Sequence, residues 1–572
     1  MPTTLITYIT YRELNNGTPA TLELFHKYLG RYEKNKVVYA CSAINSLLKP
    51  WQRAEWDVHE ALIRKSFPPD LANELLAKCR EGTSIRLVFH RLQMIFVTKE
   101  AIKHCKEEGI DPGAQQYWGG LGVAFLMAND LLHYDLPTPA NETERKKQTL
   151  TQLVPVGEYS GRHWLKENIS RAYLLLTRFS KSLRGTPDFI DLENRFENIT
   201  GLTFDEYYAL GIGVLSHYMT MDLATLKRDP TSLLISRIFF QNTPLETSKA
   251  NRFLGEISSD APSYARAFKK RDQGTTDFTW FRERPLFAHG DNFYAIDTVF
   301  LSDKLDNGVF WRVHNALPSD AEKQKLHRFW GATFEKYVNW VLSESIDNSL
   351  NTLHVSPCFE DTGDQVCDAI IVCGYEAAFL EYKGSTFTAK AKYSGHVDLL
   401  ACEIDEKLVG SDGNKKGVLQ LADAIGQVFR RSSPRKIRGL DLSKTVVVYP
   451  VLITRDSVGG SLLLSWYLNS HFQKKVNKKS IRPHITTPLF CLSVQGVEEL
   501  SAYLRDAAIT RLLNAWYEND PALLSTFLAV ENSAMREIGV RDNTPLTKAF
   551  DALWDEATER LFPGHKAAPL DT

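Results

Sequence analysis

Apolar residues recur at intervals of three and four along most of the first 275 residues, which is the spacing of helices with one buried face. Leu71, Leu75 and Cys79 follow one another at four-residue steps after Asp70, a residue that can cap a helix. Residues 85–105 continue the same periodicity. These patterns predict a large all-α N-terminal region over residues 1–275.

After residue 275 the apolar runs shorten to strand length and alternate with helical segments. A long helix is predicted at 321–345, where Trp330 and Phe334 belong to an apolar stripe, and an amphipathic helix is predicted at 417–431. The predicted strands lie at 352–357, 365–372, 377–384, 445–454 and 489–494. The segment Cys-Gly-Tyr-Glu at 373–376 suits the short turn of a hairpin.

This order of elements predicts an α/β domain with a mixed sheet and an αβββαβ core at 276–500. The helical region 1–275 precedes it, and a short helical C-terminal region is expected at 501–572. A chain of 572 residues is too long for one ordinary hydrophobic core, which also favours several domains.

Composition narrows the possible classes of protein. The net charge is −1, so any contact with nucleic acid must use local basic patches. The eight cysteines form no CxxC pair, which argues against a zinc ribbon and a disulfide framework. No apolar run reaches about 18 residues, so no membrane span is expected. We expect a protein of the reducing cytoplasm.

Charged residues stand where the predicted hairpin begins and ends. Asp368 lies near its start, while Glu381 and Lys383 close the second apolar run. Antiparallel pairing brings Asp368 near Glu381, and Lys383 shares the face of Glu381 because side chains alternate along a strand. Two carboxylates suit Mg²⁺, the Tyr382 backbone carbonyl can add an oxygen ligand, and the ammonium can orient an attacking water. The competing interpretation is an exposed salt bridge at a strand edge.

Asp368 followed by Glu381-Tyr382-Lys383, within the helix–strand–strand–strand–helix–strand order, resembles the PD-(D/E)xK nuclease superfamily. This superfamily contains the restriction-endonuclease-like, Holliday-resolvase-like and RecB-like nucleases. The resemblance covers roughly residues 320–455. It implies that Asp368 and Glu381 hold a divalent metal ion and that Lys383 assists the attacking water.

The resemblance also implies two further site residues, Glu335 on the preceding helix and Gln420 at the start of the following helix. For both residues a solvated surface role is an equal alternative. The position before Asp368 holds Cys367, where many members of the superfamily have proline.

The three-letter pattern alone is not specific, because this chain contains it twice more. Glu144-Arg145-Lys146 lies in a polar run, and Asp405-Glu406-Lys407 lies in the stretch Ala-Cys-Glu-Ile-Asp-Glu-Lys-Leu at 401–408. Neither follows a hairpin with a matching aspartate. Agreement between strand pattern, hairpin distance and flanking helices therefore selects the instance at 381–383.

Two basic clusters follow the motif and are candidates for contact with a phosphate backbone, although solvated loop charge is an equal alternative. The residues predicted to bind nucleic acid are Arg430, Arg431, Arg435, Lys436, Lys474, Lys475, Lys478 and Lys479.

The sequence thus predicts a Mg²⁺-dependent endonuclease, in which Mn²⁺ can substitute, with double-stranded DNA as the expected substrate and anti-phage defence as the expected setting. An RNA endonuclease is one alternative. Another is a catalytically silent protein of the nuclease fold that binds nucleic acid or a protein partner. A homodimer and a partner protein at the helical N-terminal region are also compatible with the sequence.

Overall fold

The computed structural model describes residues 6–49, 56–81, 85–132, 137–160, 165–411, 413–456, 458, 464–476, 481, 485–519 and 533–565. Among these residues, no helix combines the length and apolar character that a membrane crossing requires. All eight cysteines lie in the described part and are unpaired.

The first half of the chain is mainly helical, as the periodicity predicts. Its helices are α1 (Leu22–Leu29), α2 (Lys34–Leu48), α3 (Trp56–Ser66), α4 (Pro69–Cys79), α5 (Arg91–His104), α6 (Gly120–Leu131), α7 (Glu142–Ser160), α8 (Leu165–Leu174), α9 (Leu192–Thr200), α10 (Phe204–Met219), α11 (Leu223–Arg228), α12 (Thr247–Ile257), α13 (Ala261–Arg271) and α14 (Thr279–Glu283). Side-chain caps fix several starts; Thr203, for example, accepts a hydrogen bond from the Glu206 backbone at the start of α10.

The prediction that residues 1–275 are all helical is wrong in two places. Strands β1 (Ile6–Tyr8) and β2 (Ile85–Leu87) pair in parallel. Strands β3 (Ile235–Ser236) and β4 (Ser258–Asp260) join β5 (Leu286–His289) and β6 (Asn292–Ala295) in a sheet of order β3-β6-β5-β4. Strands of two or three residues carry too little alternation to stand out in the sequence. The second sheet takes strands from both sides of residue 276, the predicted domain boundary.

Helices α15 (Thr298–Asp306), α16 (Gly308–Ala316) and α17 (Asp320–Ser345) lead into the predicted α/β region. Its strands are β7 (Thr352–Val355), β8 (Ala369–Cys373), β9 (Glu376–Lys383), β10 (Gly410–Ser411), β11 (Asn414–Lys415), β12 (Val447–Thr454), β13 (Ile485–Thr486) and β14 (Phe490–Ser493). Helices α18 (Ala389–Tyr393), α19 (Val397–Ile404), α20 (Gly417–Val428) and α21 (Leu464–Lys475) lie between them.

The largest sheet has the order β13-β12-β9-β8-β7, and β14 also pairs with β12. Strands β7, β8 and β9 pair antiparallel, whereas β12 runs parallel to β9, β13 and β14. The structure therefore contains the mixed sheet and the predicted order of elements. Strands β10 and β11 pair antiparallel with each other in a separate small sheet.

A proline occupies the middle of β12, where it would usually break a sheet. Pro450 lies between Val448, the last residue paired with β13, and Val451, the first paired with β14. The backbone of Val448 accepts a hydrogen bond from Thr487, so even-numbered residues of β12 direct their polar groups to this side. The N–H that proline lacks would thus fall in the gap between two partner strands.

The sheet separates two hydrophobic layers. On β9, Ala378, Leu380 and Tyr382 face a core shared with α17, while Ala377 and Phe379 face a second core shared with α20. The first core extends from Ile9 to Leu561 and so draws on both the N-terminal and the C-terminal parts of the described chain. The C-terminal helices are α22 (Val494–Ser501), α23 (Ile509–Asn519), α24 (Ser533–Ile538) and α25 (Thr544–Leu561), and α25 packs on α8 and α10.

Candidate active site

The C-terminal end of β9 places Glu381 and Lys383 on the face that looks toward α20. Their side chains meet, with 2.7 Å between Lys383 Nζ and Glu381 Oε1. Lys383 Nζ also donates a hydrogen bond of 2.8 Å to Gln420 Oε1, in the first turn of α20. The strand alternation and the helix start therefore bring together three of the predicted site residues.

Close approach between α20 and the sheet depends on the glycine that begins the helix. A Cβ atom on Gly417 would lie 2.8 Å from Leu452 Cδ1, 3.0 Å from the Leu408 carbonyl oxygen and 3.2 Å from Lys383 Cε. A larger residue would have to displace the Leu452 and Lys383 side chains or move the helix away from the Leu408 carbonyl. Gly417 thus sets the distance between Gln420 and Lys383.

The strand predicted at 365–372 begins only at Ala369, so its predicted start is wrong by four residues. Asp368 lies just before this strand, β8, and not inside it. Its N–H donates to the Leu380 carbonyl of β9, whereas its own carbonyl accepts from Ser356 beyond β7. In a regular antiparallel strand both groups of one residue face the same neighbour. The chain therefore turns at Asp368, as at a β-bulge, and the side chain is aimed toward the end of β9.

The Asp368 carboxylate is held by two donors. Oδ2 accepts a hydrogen bond of 2.6 Å from the Tyr382 N–H, and Oδ1 accepts one of 3.0 Å from Gln365 Nε2. Because the N–H and C=O of a strand residue point to the same side, the Tyr382 carbonyl also faces the Asp368 side. The Tyr382 ring lies in the opposite layer, where its hydroxyl donates to Asn339 Oδ1 on α17 at 3.1 Å.

Glu335 reaches the same sheet edge from α17. Burial raises the pKa of Glu335, the Asp368 carboxylate raises it further, and a hydrogen bond with the Ser356 side chain lowers it. Ser356 has φ of +47°, a left-handed conformation that non-glycine residues rarely adopt. This strained serine bonds both Asp368, through its backbone, and Glu335, through its side chain.

Electrostatics at the site are dominated by carboxylates in a poorly solvated position. Glu381 is 5% exposed, and burial raises its pKa to about 7, against the opposing effect of Lys383. The pKa of Asp368 is also raised by burial, although the Tyr382 N–H and Lys383 act in the opposite direction. When all three carboxyl groups of Glu335, Asp368 and Glu381 are ionised, the Lys383 ammonium leaves two negative charges, the charge that one divalent cation neutralises.

The donor set fits a hard cation. The oxygens of Glu335, Asp368 and Glu381 do not all lie within 4.8 Å of one another. Direct coordination by all three is thus not the arrangement shown. Mg²⁺ commonly takes one or two carboxylates and completes its octahedron with water and substrate phosphate. Asp368, Glu381 and the Tyr382 carbonyl would hold the ion.

The basic residues predicted to contact nucleic acid are distributed unevenly. Arg430, Arg431, Lys436, Lys474 and Lys475 are exposed. Arg435 pairs with Asp361 at 2.6 Å, and its guanidinium lies 3.7 Å from the centre of the Phe359 ring. Lys478 and Lys479 lie outside the described residues.

The other two matches to the three-letter pattern have different surroundings. Lys146 lies over the Trp466 ring at 4.2 Å, and Lys407 pairs with Glu403 at 2.8 Å. Asp405 accepts a hydrogen bond from the Tyr467 hydroxyl at 3.0 Å. Neither instance shares the arrangement at the end of β9.

Sequence reasoning missed Gln365 and Ser356, both of which bond to site residues. Gln365 lies three residues before Asp368, a spacing that gave no periodic signal. The role of Ser356 depends on its backbone conformation and on the approach of α17.

No protein-family model matches this chain, and neither a curated protein nor a solved structure matches it.

Proposed function

We propose that this protein is a Mg²⁺-dependent nuclease that hydrolyses phosphodiester bonds at the C-terminal end of β9. The observation that carries the proposal is found at the end of β9, where Lys383 bonds Glu381 and Gln420 while Asp368 accepts a hydrogen bond from the Tyr382 N–H between them in the strand. Burying three carboxylates beside a single ammonium costs folding free energy. A structural salt bridge needs only one carboxylate for each ammonium, so it gives no reason for the additional two.

Each residue has a definite part in the proposed reaction. When bound, the metal ion supplies a Lewis acid for the phosphate and lowers the pKa of a bound water. Asp368 is oriented for coordination by the Tyr382 N–H and Gln365. The Lys383 ammonium, positioned by Gln420 and Glu381, offsets negative charge that develops on the phosphate.

Double-stranded DNA is the proposed substrate, because the exposed residues Arg430, Arg431, Lys474 and Lys475 offer positive charge in the same α/β region. These contacts would position the nucleic acid without reading its sequence. Cleavage of RNA is the second candidate, since a metal held by carboxylates acts on either phosphodiester. A role in anti-phage defence belongs to the same proposal.

The test incubates the purified chain with plasmid, linear duplex, single-stranded DNA and RNA, each with Mg²⁺ or with EDTA. We expect duplex cleavage with Mg²⁺, loss of cleavage in EDTA and loss in Asp368→Ala. If only RNA is cut, the RNA assignment replaces the DNA assignment. If none of the substrates is cut, or if Asp368→Ala cuts as wild type does, the proposed function is wrong.

A further inference from the structure

A second group of metal-ligating side chains lies far from this site in the sequence, between α1 and α5. Glu100 and His104 are one helical turn apart on α5, and His26 reaches them from α1. The two helices pack through the Phe25 and Phe96 rings, whose centres are 5.5 Å apart. Among the described residues, this is the one group of three candidate ligands whose atoms all lie within 4.8 Å.

The distances within the group match those between ligands of one zinc ion. Glu100 Oε2 lies 2.9 Å from His26 Nε2 and 3.4 Å from His104 Nε2. Nitrogen and oxygen ligands at about 2.0–2.1 Å from a tetrahedral zinc are roughly 3.3 Å apart. The two distances from Glu100 Oε2 lie on either side of this value, and all three atoms lie within 4.8 Å of one another.

The carboxylate is fixed in a way that leaves one oxygen for a metal. Glu100 Oε1 accepts from Lys103 Nζ at 3.0 Å, and Lys103 also pairs with Asp272 at 3.1 Å. Lys99 bonds the same Asp272 at 2.8 Å. A ligating carboxylate held through its second oxygen is the usual outer arrangement of a metal centre. Oε2 is thus directed at the two imidazoles.

The three side chains are buried to different extents, and the more exposed ones leave a path by which a metal ion can enter. Glu100 is 6% exposed, while His26 is half-buried and His104 is exposed. Burial alone would raise the pKa of Glu100, but hydrogen bonds from His104 and His26 hold it well below its usual range. A cation can therefore reach the buried carboxylate from the solvent side, past the more exposed imidazoles.

Coordination requires one rearrangement. The His26 and His104 rings are stacked, with centres 3.6 Å apart and an angle of 19° between their planes. The lone pairs of stacked rings do not converge, so the rings must turn about their Cβ–Cγ bonds to bind one ion. Torsions of this kind have broad, shallow minima, and the turn is therefore inexpensive.

We propose that His26, Glu100 and His104 bind a transition-metal ion of the zinc type, with the fourth position open to water or an external ligand. The two imidazole nitrogens select this class of ion, whereas the oxygen-only set at Asp368 and Glu381 selects Mg²⁺. Three protein ligands with one open position is also the arrangement of catalytic rather than closed structural zinc centres.

The test uses the full chain, stripped with EDTA and titrated with Co²⁺, which reports four-coordinate binding by its visible absorption. Variants His26→Gln and His104→Gln keep a hydrogen-bond donor beside Glu100 but remove a metal ligand. We expect one equivalent of four-coordinate Co²⁺ in the wild type and at least a 100-fold loss of affinity for that ion in each variant. His289→Ala, at an exposed histidine outside the group, should bind as wild type does.

A readout that needs no variant accompanies the titration. Zn²⁺ should protect His26 and His104 of the wild-type chain from modification by diethylpyrocarbonate, while His289 stays reactive. Absence of Co²⁺ binding, or binding and protection that do not involve His26 and His104, would overturn the proposal. The group would then be a hydrogen-bonded cluster only. Because both readouts follow His26 and His104 directly, this result is independent of the nuclease assay.

Discussion

At the scale of single residues, Glu381 shows that the proposed site lowers the stability of the folded protein. The carboxylate is 5% exposed, and its pKa is raised to about 7 by burial. The folded protein therefore holds a proton that the unfolded chain, with a glutamate pKa near its usual value, has already released. Between about pH 4.5 and pH 7, folding becomes less favourable as the pH rises.

This linkage predicts the effect of Glu381→Gln in the presence of EDTA. Glutamine can still accept the Lys383 hydrogen bond but carries no charge, so the variant should be more stable than wild type at pH 8. From about 1.4 kcal/mol per pKa unit, the gain is on the order of 1–3 kcal/mol. Urea unfolding at several pH values measures it.

The gain should vanish at pH 4.5 and below, where the wild-type carboxyl is also neutral. Glu360→Gln, at an exposed carboxylate, is the matched control and should change stability by less than about 0.5 kcal/mol at either pH. A Glu381→Gln variant that is less stable than wild type at pH 8 would contradict the electrostatic account.

Site residues could be predicted only where they interrupt a regular pattern of apolar residues in the sequence. Asp368, Glu381 and Lys383 stand out because charge interrupts apolar runs, and the contact between Glu381 and Lys383 follows from strand alternation. The φ of +47° at Ser356 has no counterpart in the sequence, because serine is not a residue that signals a left-handed turn. The hydrogen bonds of Ser356 with Asp368 and Glu335 can be identified only in the folded structure.

At the scale of elements, the register between α20 and β9 depends on Gly417. Gly417→Ala would place Cβ 2.8 Å from Leu452 Cδ1 and 3.2 Å from Lys383 Cε. We expect a loss of about 1–3 kcal/mol in stability from overpacking. The cleavage rate should also fall, since the displaced helix separates Gln420 from Lys383.

The same helix provides the control. A Cβ on Gly426 would meet no atom within 4 Å, and alanine favours a helix interior by about 0.5–1 kcal/mol over glycine. Gly426→Ala should therefore be stabilised slightly and keep its nuclease activity. Equal behaviour of the two variants would show that α20 does not set the site geometry.

Elements were predictable in their order more than in their limits. The strand predicted at 377–384 is observed as Glu376–Lys383, and the one at 445–454 as Val447–Thr454. The strand predicted at 365–372 begins only at Ala369, because the chain turns at Asp368. The pattern of apolar residues indicates which residues are buried. It does not show where a buried segment turns, and for this reason the turn at Asp368 was not predicted.

At the scale of the whole molecule, buried charges tie distant parts of the chain together. Arg171 on α8 pairs with Glu498 on α22 at 2.7 Å, and the Tyr337 hydroxyl on α17 donates to the same carboxylate. All three side chains are buried. The link joins the N-terminal region, the helix that carries Glu335, and the helix that follows the last strand of the sheet.

Removal of one partner should therefore be felt throughout the protein. We expect Arg171→Leu to lose about 3–5 kcal/mol, because Glu498 is left buried without its partner. Adding Glu498→Gln should recover part of this loss. Denaturant unfolding followed by circular dichroism and by tryptophan fluorescence measures both variants, and a loss below about 1 kcal/mol for Arg171→Leu would contradict this account.

The contiguous core could not be predicted from the sequence. Composition changes after residue 275 suggested separate regions, yet one hydrophobic cluster includes Ile9, Leu380 and Leu561. Contacts between such distant residues depend on how helices pack, and local periodicity contains no information on that. The position of the proposed active site, by contrast, depends on β8, β9 and α20, whose patterns are local.

The most direct test of the central claim compares the initial rate of Mg²⁺-dependent DNA cleavage in Lys383→Ala and Lys146→Ala. Both lysines end the same three-letter pattern, but only Lys383 bonds Glu381 and Gln420. We predict a rate at least about 100-fold below wild type for Lys383→Ala, the usual cost of losing a group that stabilises transition-state charge. Lys146→Ala should stay within about twofold of wild type. Equal rates in the two variants would contradict the assignment of the active site.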